Sequence, residues 1–147
     1  MTLVRIQGSF RTGSPQYPTL TGIVLLPRLG KVRITEFLID TGADSTTLHP
    51  LDTRQMGINF ARDFAGVPTG RTLGIGGENG YWEEMAELQL LQENLIDYDR
   101  LTLPIHIAAP NRSNSKFPSL LGRDVLQWYR FIADSPAARI ILERSER

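Results

Sequence analysis

Residues 19–26 and 31–39 are β-rich segments on either side of Pro27-Arg28-Leu29-Gly30. Proline and glycine in so short a connection make a turn, so the two segments predict a hairpin. Its second arm ends in the apolar run Phe37-Leu38-Ile39 and stops on an acid, Asp40, followed by Thr41, Gly42, Ala43 and a second acid, Asp44. A buried strand that delivers a carboxylate into a stretch of small residues constrains the fold and raises a chemical question. Asp is a common turn cap after a strand. Here Thr41 can bond locally through its hydroxyl, Gly42 permits close backbone approach and Ala43 removes bulk. Together they describe a tight turn that presents a carboxylate where another backbone can come near.

The rest of the chain follows the same β-rich pattern. Residues 3–6 form a short strand candidate, and 7–18, with Gly8, Gly13, Pro15 and Pro18, read as loop. Residues 46–56 could begin a turn of helix. Glycine is dense over 68–80, "PTGRTLGIGGENG". In 81–92, Ala86, Leu88 and Leu90 alternate with polar residues as in a half-buried strand, while Tyr81, Met85, Leu88 and Leu91 also fit helical spacing. The strand is the better reading only if the glycine cluster is a hairpin tip. Residues 101–109 predict a strand near an edge, because Pro104 lacks a ladder donor. Residues 110–118 are a polar loop. The C-terminal stretch predicts an apolar strand, Gly122, a short helix over 124–129 and a hairpin turning at Ser135-Pro136. Mostly short strands with one or two short helices predict one all-β, barrel-like domain over residues 1–147.

Composition removes several classes of function. With 147 residues the chain can build a core without staples. It has no cysteine, which excludes disulfides, a thiol nucleophile and thiolate metal sites. Lys plus Arg balances Asp plus Glu at 16 each, against the basic excess of a nucleic-acid binder. No apolar run reaches membrane-spanning length and the first residues lack a signal-peptide core, so the expectation is a cytoplasmic protein with neither nucleic-acid nor membrane partner. Only His49 and His106 are available as imidazoles. His49 is expected at a surface or capping position, and His106, between Ile105 and Ile107, as a packed strand residue. No G-x-S-x-G elbow or H-E-x-x-H zinc pair occurs. The glycine cluster has Asn79 where G-x-G-x-x-G needs its last glycine, which disfavours phosphate binding.

A second motif, Leu120-Leu121-Gly122-Arg123-Asp124, precedes the predicted helix. An apolar pair with D-T-G-A-D, then a glycine-rich hairpin, then an apolar pair with G-R-D resembles the retropepsin-like aspartic proteases, the retroviral proteases and their bacterial single-domain relatives. The match spans roughly residues 19–143 and looks closest to the bacterial branch. The resemblance implies a closed all-β barrel with a flap hairpin and one short C-terminal helix. It implies that Asp40 is the catalytic acid, that the Thr41 hydroxyl bonds across a dimer axis, and that the Gly42 carbonyl meets substrate backbone. It implies that Asp44 contacts substrate and pairs with Arg123 in a buried, charge-assisted contact. Leu120 would line a substrate pocket. Ile75, Gly76 and Gly77 would belong to a flap over the bound peptide. The segments between these motifs look longer than in the compact retroviral enzymes.

Aspartic protease chemistry needs two carboxylates around one water, one ionised and one protonated. One D-T-G occurs here, so the resemblance implies a homodimer with Asp40 from each subunit at the two-fold axis. The implied function is an endopeptidase acting on a peptide or protein substrate, with neither metal nor other cofactor. The alternative is a dimerisation or peptide-binding module with the same fold and little or no cleavage.

Overall fold

A computed structural model describes residues 2–12, 16–74 and 77–146, with backbone alone considered for 72–74 and 77–79. Ten strands follow in chain order: β1 (Leu3–Arg11), β2 (Tyr17–Leu26), β3 (Lys31–Ile39), β4 (Thr47–Leu48), β5 (Gly70–Gly74), β6 (Gly77–Leu91), β7 (Tyr98–Ala108), β8 (Ser119–Leu121), β9 (Arg130–Asp134) and β10 (Arg139–Ser145). Three short helices interrupt them, α1 (Pro50–Gln55), α2 (Phe60–Asp63) and α3 (Arg123–Leu126). Among the described residues no helix is long and apolar enough to cross a membrane.

The strands lie in the order β5-β6-β7-β4-β8-β3-β2-β1-β10-β9. An additional β6–β2 pairing joins the two ends of the run β6-β7-β4-β8-β3-β2 and closes a six-stranded barrel. Its interior follows from strand alternation. Leu20, Val24 and Leu26 of β2, Phe37 and Ile39 of β3, Ala86, Leu88 and Leu90 of β6, Ile105 and Ile107 of β7, and Leu121 of β8 are all buried in one cluster. Fully burying an aliphatic side chain of this size contributes on the order of 1.5–3 kcal/mol.

The hairpin predicted around Pro27–Leu29 is present, with β2 and β3 paired from Thr19↔Leu38 to Leu26↔Lys31. Gly30 closes it in the left-handed region at φ 63°. Residues 81–91 are strand, and the glycine cluster forms the β5–β6 hairpin paired to Gly74↔Gly77. Pro104 lies opposite Met85 of β6, and β4 covers β7 only at His106 and Ile107. β7 is thus interior in the sheet order yet an open edge at its proline.

Residues 7–11 differ from the loop expected there. β1 continues to Arg11, passing from β10, where Gly8 faces Ile140, to β2, where Ser9 faces Thr19. At this crossing a Cβ on Gly8 would lie 2.4 Å from the Thr19 carbonyl oxygen and 2.7 Å from Ile140 Cγ2. Gly8 permits a close strand contact here and does not break the strand.

Candidate active site

Asp40 leaves the barrel where β3 ends. β3 runs parallel to β8, with Ile39 facing Leu121, and the Asp40 N–H donates to the Leu121 carbonyl at 3.0 Å. The Ala43 N–H returns to the Asp40 carbonyl at 3.2 Å, closing a turn. The Gly42 N–H donates to Asp40 Oδ1 at 2.9 Å, which fixes the carboxylate's orientation. Asp40 is half-buried, and Thr41 and Gly42 are exposed. Among the described residues the Thr41 hydroxyl takes no hydrogen-bond partner.

The loop after Asp40 is interlocked with the start of α3. The N–H groups of Arg123 and Asp124 donate to the carbonyls of Ala43 and Asp44 at 2.8 and 3.1 Å. Both carboxylate oxygens of Asp124 are taken by Thr46, Oδ2 by its N–H at 2.8 Å and Oδ1 by its hydroxyl at 2.7 Å. The same hydroxyl accepts the Gly122 N–H at 3.1 Å. Gly122 packs so closely that a Cβ there would lie 2.6 Å from the Ser45 carbonyl carbon and 3.0 Å from the Ala43 oxygen. The D-T-G and G-R-D motifs, far apart in sequence, are therefore one hydrogen-bonded unit.

Asp44 and Arg123 form an ion pair, but their side chains are 82% and 59% exposed. The expected burial is absent in the single chain, because the pair lies on the outer rim of the loop–helix contact. Leu120 is half-buried on β8, facing Leu38 of β3 and Thr47 of β4. Gly77 opens β6 opposite Gly74, whereas Ile75 and Gly76 lie outside the described residues. β6 is 15 residues long: its first part pairs with β5 and the rest with β7 and β2, so the hairpin is an outward extension of a barrel strand.

His49 precedes α1 at its N-cap, half-buried, with Nδ1 2.7 Å from the Pro118 carbonyl. Burial lowers its pKa, opposed by that carbonyl and by the nearby charge of Asp52. His106 stacks on Tyr81 with ring centroids 3.6 Å apart, and burial lowers its pKa too. A network that the sequence did not suggest holds α1 to the site strands. Buried Asp52 accepts from Arg33 Nε at 3.1 Å and from the Ser119 hydroxyl at 2.6 Å, and Ser119 Oγ accepts the His49 N–H at 3.1 Å. Asp124 lay inside a motif already singled out, but nothing in the sequence marked Thr46 as its partner.

Chemically, the arrangement offers a half-exposed carboxylate on a braced turn, with small, exposed neighbours at Thr41 and Gly42. One such acid can orient water, but paired acid and base chemistry needs another carboxylate beside it.

No family model matches the chain, and no curated protein is similar to it in sequence. Its fold is similar to solved structures of aspartic proteases. A retropepsin-like aspartic protease from Rickettsia conorii superposes with a TM-score of 0.63 at 17% identity, over 97% of this chain and 92% of that one. The EIAV protease, complexed with an inhibitor, gives a TM-score of 0.51 at 16% identity, over 80% of this chain and 91% of that one. The fold is retropepsin-like, as the motifs led one to expect.

Proposed function

We propose that this chain is an aspartic endopeptidase that works as a homodimer, hydrolysing peptide bonds with water activated by the two Asp40 carboxylates. The observation that carries the reading is the unit just described. Asp40 stands at the barrel end with its carboxylate oriented by the Gly42 N–H, on a turn bound to α3. The retropepsin-like fold supports the same reading.

In this reading the ionised member of the pair takes a proton from water, while the protonated member donates to the scissile carbonyl oxygen. The hydroxide adds to the carbonyl carbon, and the tetrahedral intermediate expels the amine after a carboxyl proton passes to its nitrogen. Exposed Thr41 would bond across the axis, and the Gly42 carbonyl would receive a substrate N–H. Asp44, braced by Arg123, would hold the peptide backbone. Leu120 would line a side-chain pocket. Ile75, Gly76 and Gly77 would close over an extended peptide, whose main chain adds to strand edges.

The test is peptide cleavage by wild type and Asp40→Asn, with peptide binding measured beside it. The reading predicts that the substitution lowers the rate by at least about a hundredfold while binding persists. Wild type that binds peptide and cuts none of a diverse library would instead identify a binding module.

A further inference from the structure

Strand alternation fixes which backbone groups of β7 the sheet uses. The Gln92 N–H donates to the Asp97 carbonyl and the Ala109 N–H to the Gly80 carbonyl, and the β6–β7 register between these pairs runs unbroken from Tyr81↔Ala108 to Leu91↔Tyr98. Odd-numbered residues of β7 therefore turn their N–H and C=O toward β6, and even-numbered residues turn theirs to the other side. The His106 N–H does so, donating to the Thr46 carbonyl at 2.9 Å. β4 pairs with His106 and Ile107 and goes no further. Next on that side come Pro104, which has no N–H, and then Thr102 and Arg100. Among the described residues the backbone groups of Thr102 and Arg100 take no partner.

A cavity of about 280 Å³ lies beside them, between residues 100–103 of β7 and a wall made by α3, Trp128 and Arg144. Arg100 and Thr102 are exposed, whereas Leu101 and Leu103 pack against the core. A hollow that touches all four follows the edge of the strand and not either of its faces. We propose that this groove binds an extended peptide segment of a partner protein, added as a short strand at Arg100 and Thr102, with an acidic side chain of the peptide set on Arg100. Asp40 does not line the groove, and the proposal goes beyond cleavage and does not depend on it.

The occupant follows from spacing, size and charge. Thr102 and Arg100 are two positions apart, about 7 Å along a strand, which matches alternate residues of an added strand. The cavity is slightly smaller than the roughly 300–1,000 Å³ of small-molecule pockets, so it admits a few residues of extended chain and no folded partner. Pro104 ends the available ladder and keeps the added strand short. Arg144 is committed to Asp99 through two guanidinium nitrogens. Asp124 accepts from the Thr46 N–H, the Thr46 hydroxyl and the Val125 N–H. Arg100 has neither an ion pair nor a side-chain hydrogen bond among the described residues, so it is the cation open to an incoming carboxylate. Thr46, which holds Asp124, sits at the His106 end of β7, so Arg100 and Asp124 mark opposite ends of the groove. An acid placed on Arg100 is thereby kept away from Asp124. Trp128, 47% exposed, gives the wall an apolar surface for a neighbouring side chain.

The probe is acetyl-Val-Glu-Val-Thr-Val-amide, compared with the same peptide carrying lysine for glutamate. Both are titrated against the Asp40→Asn chain so that neither is cut. The Arg100 and Thr102 amides should exchange fast in the free chain and at least about tenfold more slowly with the acidic peptide bound. Thr102→Pro removes a donor that the sheet does not use, so the chain should fold while affinity falls at least about tenfold. Arg100→Glu should weaken the acidic peptide by a similar factor and make the lysine peptide the better ligand. Circular dichroism reports folding. Peptide that binds without slowing these two amides sits on another surface, the Asp40 cleft included, and would overturn the proposal. No binding at millimolar peptide, or equal affinity in all variants, would overturn it as well. Should Thr102→Pro not fold, amide exchange in the Asp40→Asn chain and the charge reversal at Arg100 decide between the same two outcomes.

Discussion

Thr46 occupies both carboxylate oxygens of Asp124, through its N–H at 2.8 Å and its hydroxyl at 2.7 Å. The hydroxyl also satisfies the Gly122 N–H. One buried threonine thus connects the turn that carries Asp40 to the helix that follows Leu121, and several consequences can be measured.

Thr46→Val keeps the shape and removes the hydroxyl, leaving the buried Gly122 N–H without its acceptor. The cost should be about 1–3 kcal/mol in urea unfolding. A variant as stable as wild type would mean that this hydroxyl does not hold the two motifs together.

Gly122→Ala would push a methyl group against the carbonyl of Ser45, which is backbone and cannot rotate away. Overpacking of this kind costs about 1–3 kcal/mol. Because the displaced loop carries Asp40, cleavage should fall further than the fraction unfolded explains. Melting and rate measured on the same preparation separate the two effects.

Arg123→Ala should change the stability of the isolated chain by no more than about 1 kcal/mol, since its pairing with Asp44 faces solvent. Activity should fall sharply if peptide binding covers that pair. A large loss of stability without loss of cleavage would reverse this assignment.

Burial lowers the pKa of His49 and of His106 in the folded chain. Below the ordinary value near 6.5 the unfolded chain takes up protons that the folded chain resists. Stability from these two groups is therefore complete above that value and is lost as pH falls through the lowered native values. His49→Gln should flatten the dependence of unfolding free energy on pH between about 7 and 5. An unchanged slope would remove His49 from the acid response.

Much of the fold was legible because alternation and turn chemistry act locally: the Pro27–Leu29 hairpin and the barrel class follow from them, whereas residues 81–91 fit helical spacing as well and are settled as strand only by the pairing of β5 with β6. Gly8 misled because its reason for being glycine, the Thr19 carbonyl beside it, belongs to another strand. The exposure of Asp44 and Arg123 could not be read either, since a motif names partners but not the solvent around them. Thr46 and Asp52 escaped notice because a buried polar residue shows its purpose only once its partners are in place.

The central claim, that one catalytic centre needs Asp40 from two chains, is tested most directly by mixing wild type with Asp40→Asn and following peptide cleavage per wild-type chain. The account predicts that activity falls to about half at equal proportions, as random pairing leaves half of the wild-type chains with an inert partner, and towards zero in excess variant. Activity per wild-type chain that stays constant at every ratio, with the chains shown to exchange, would contradict it.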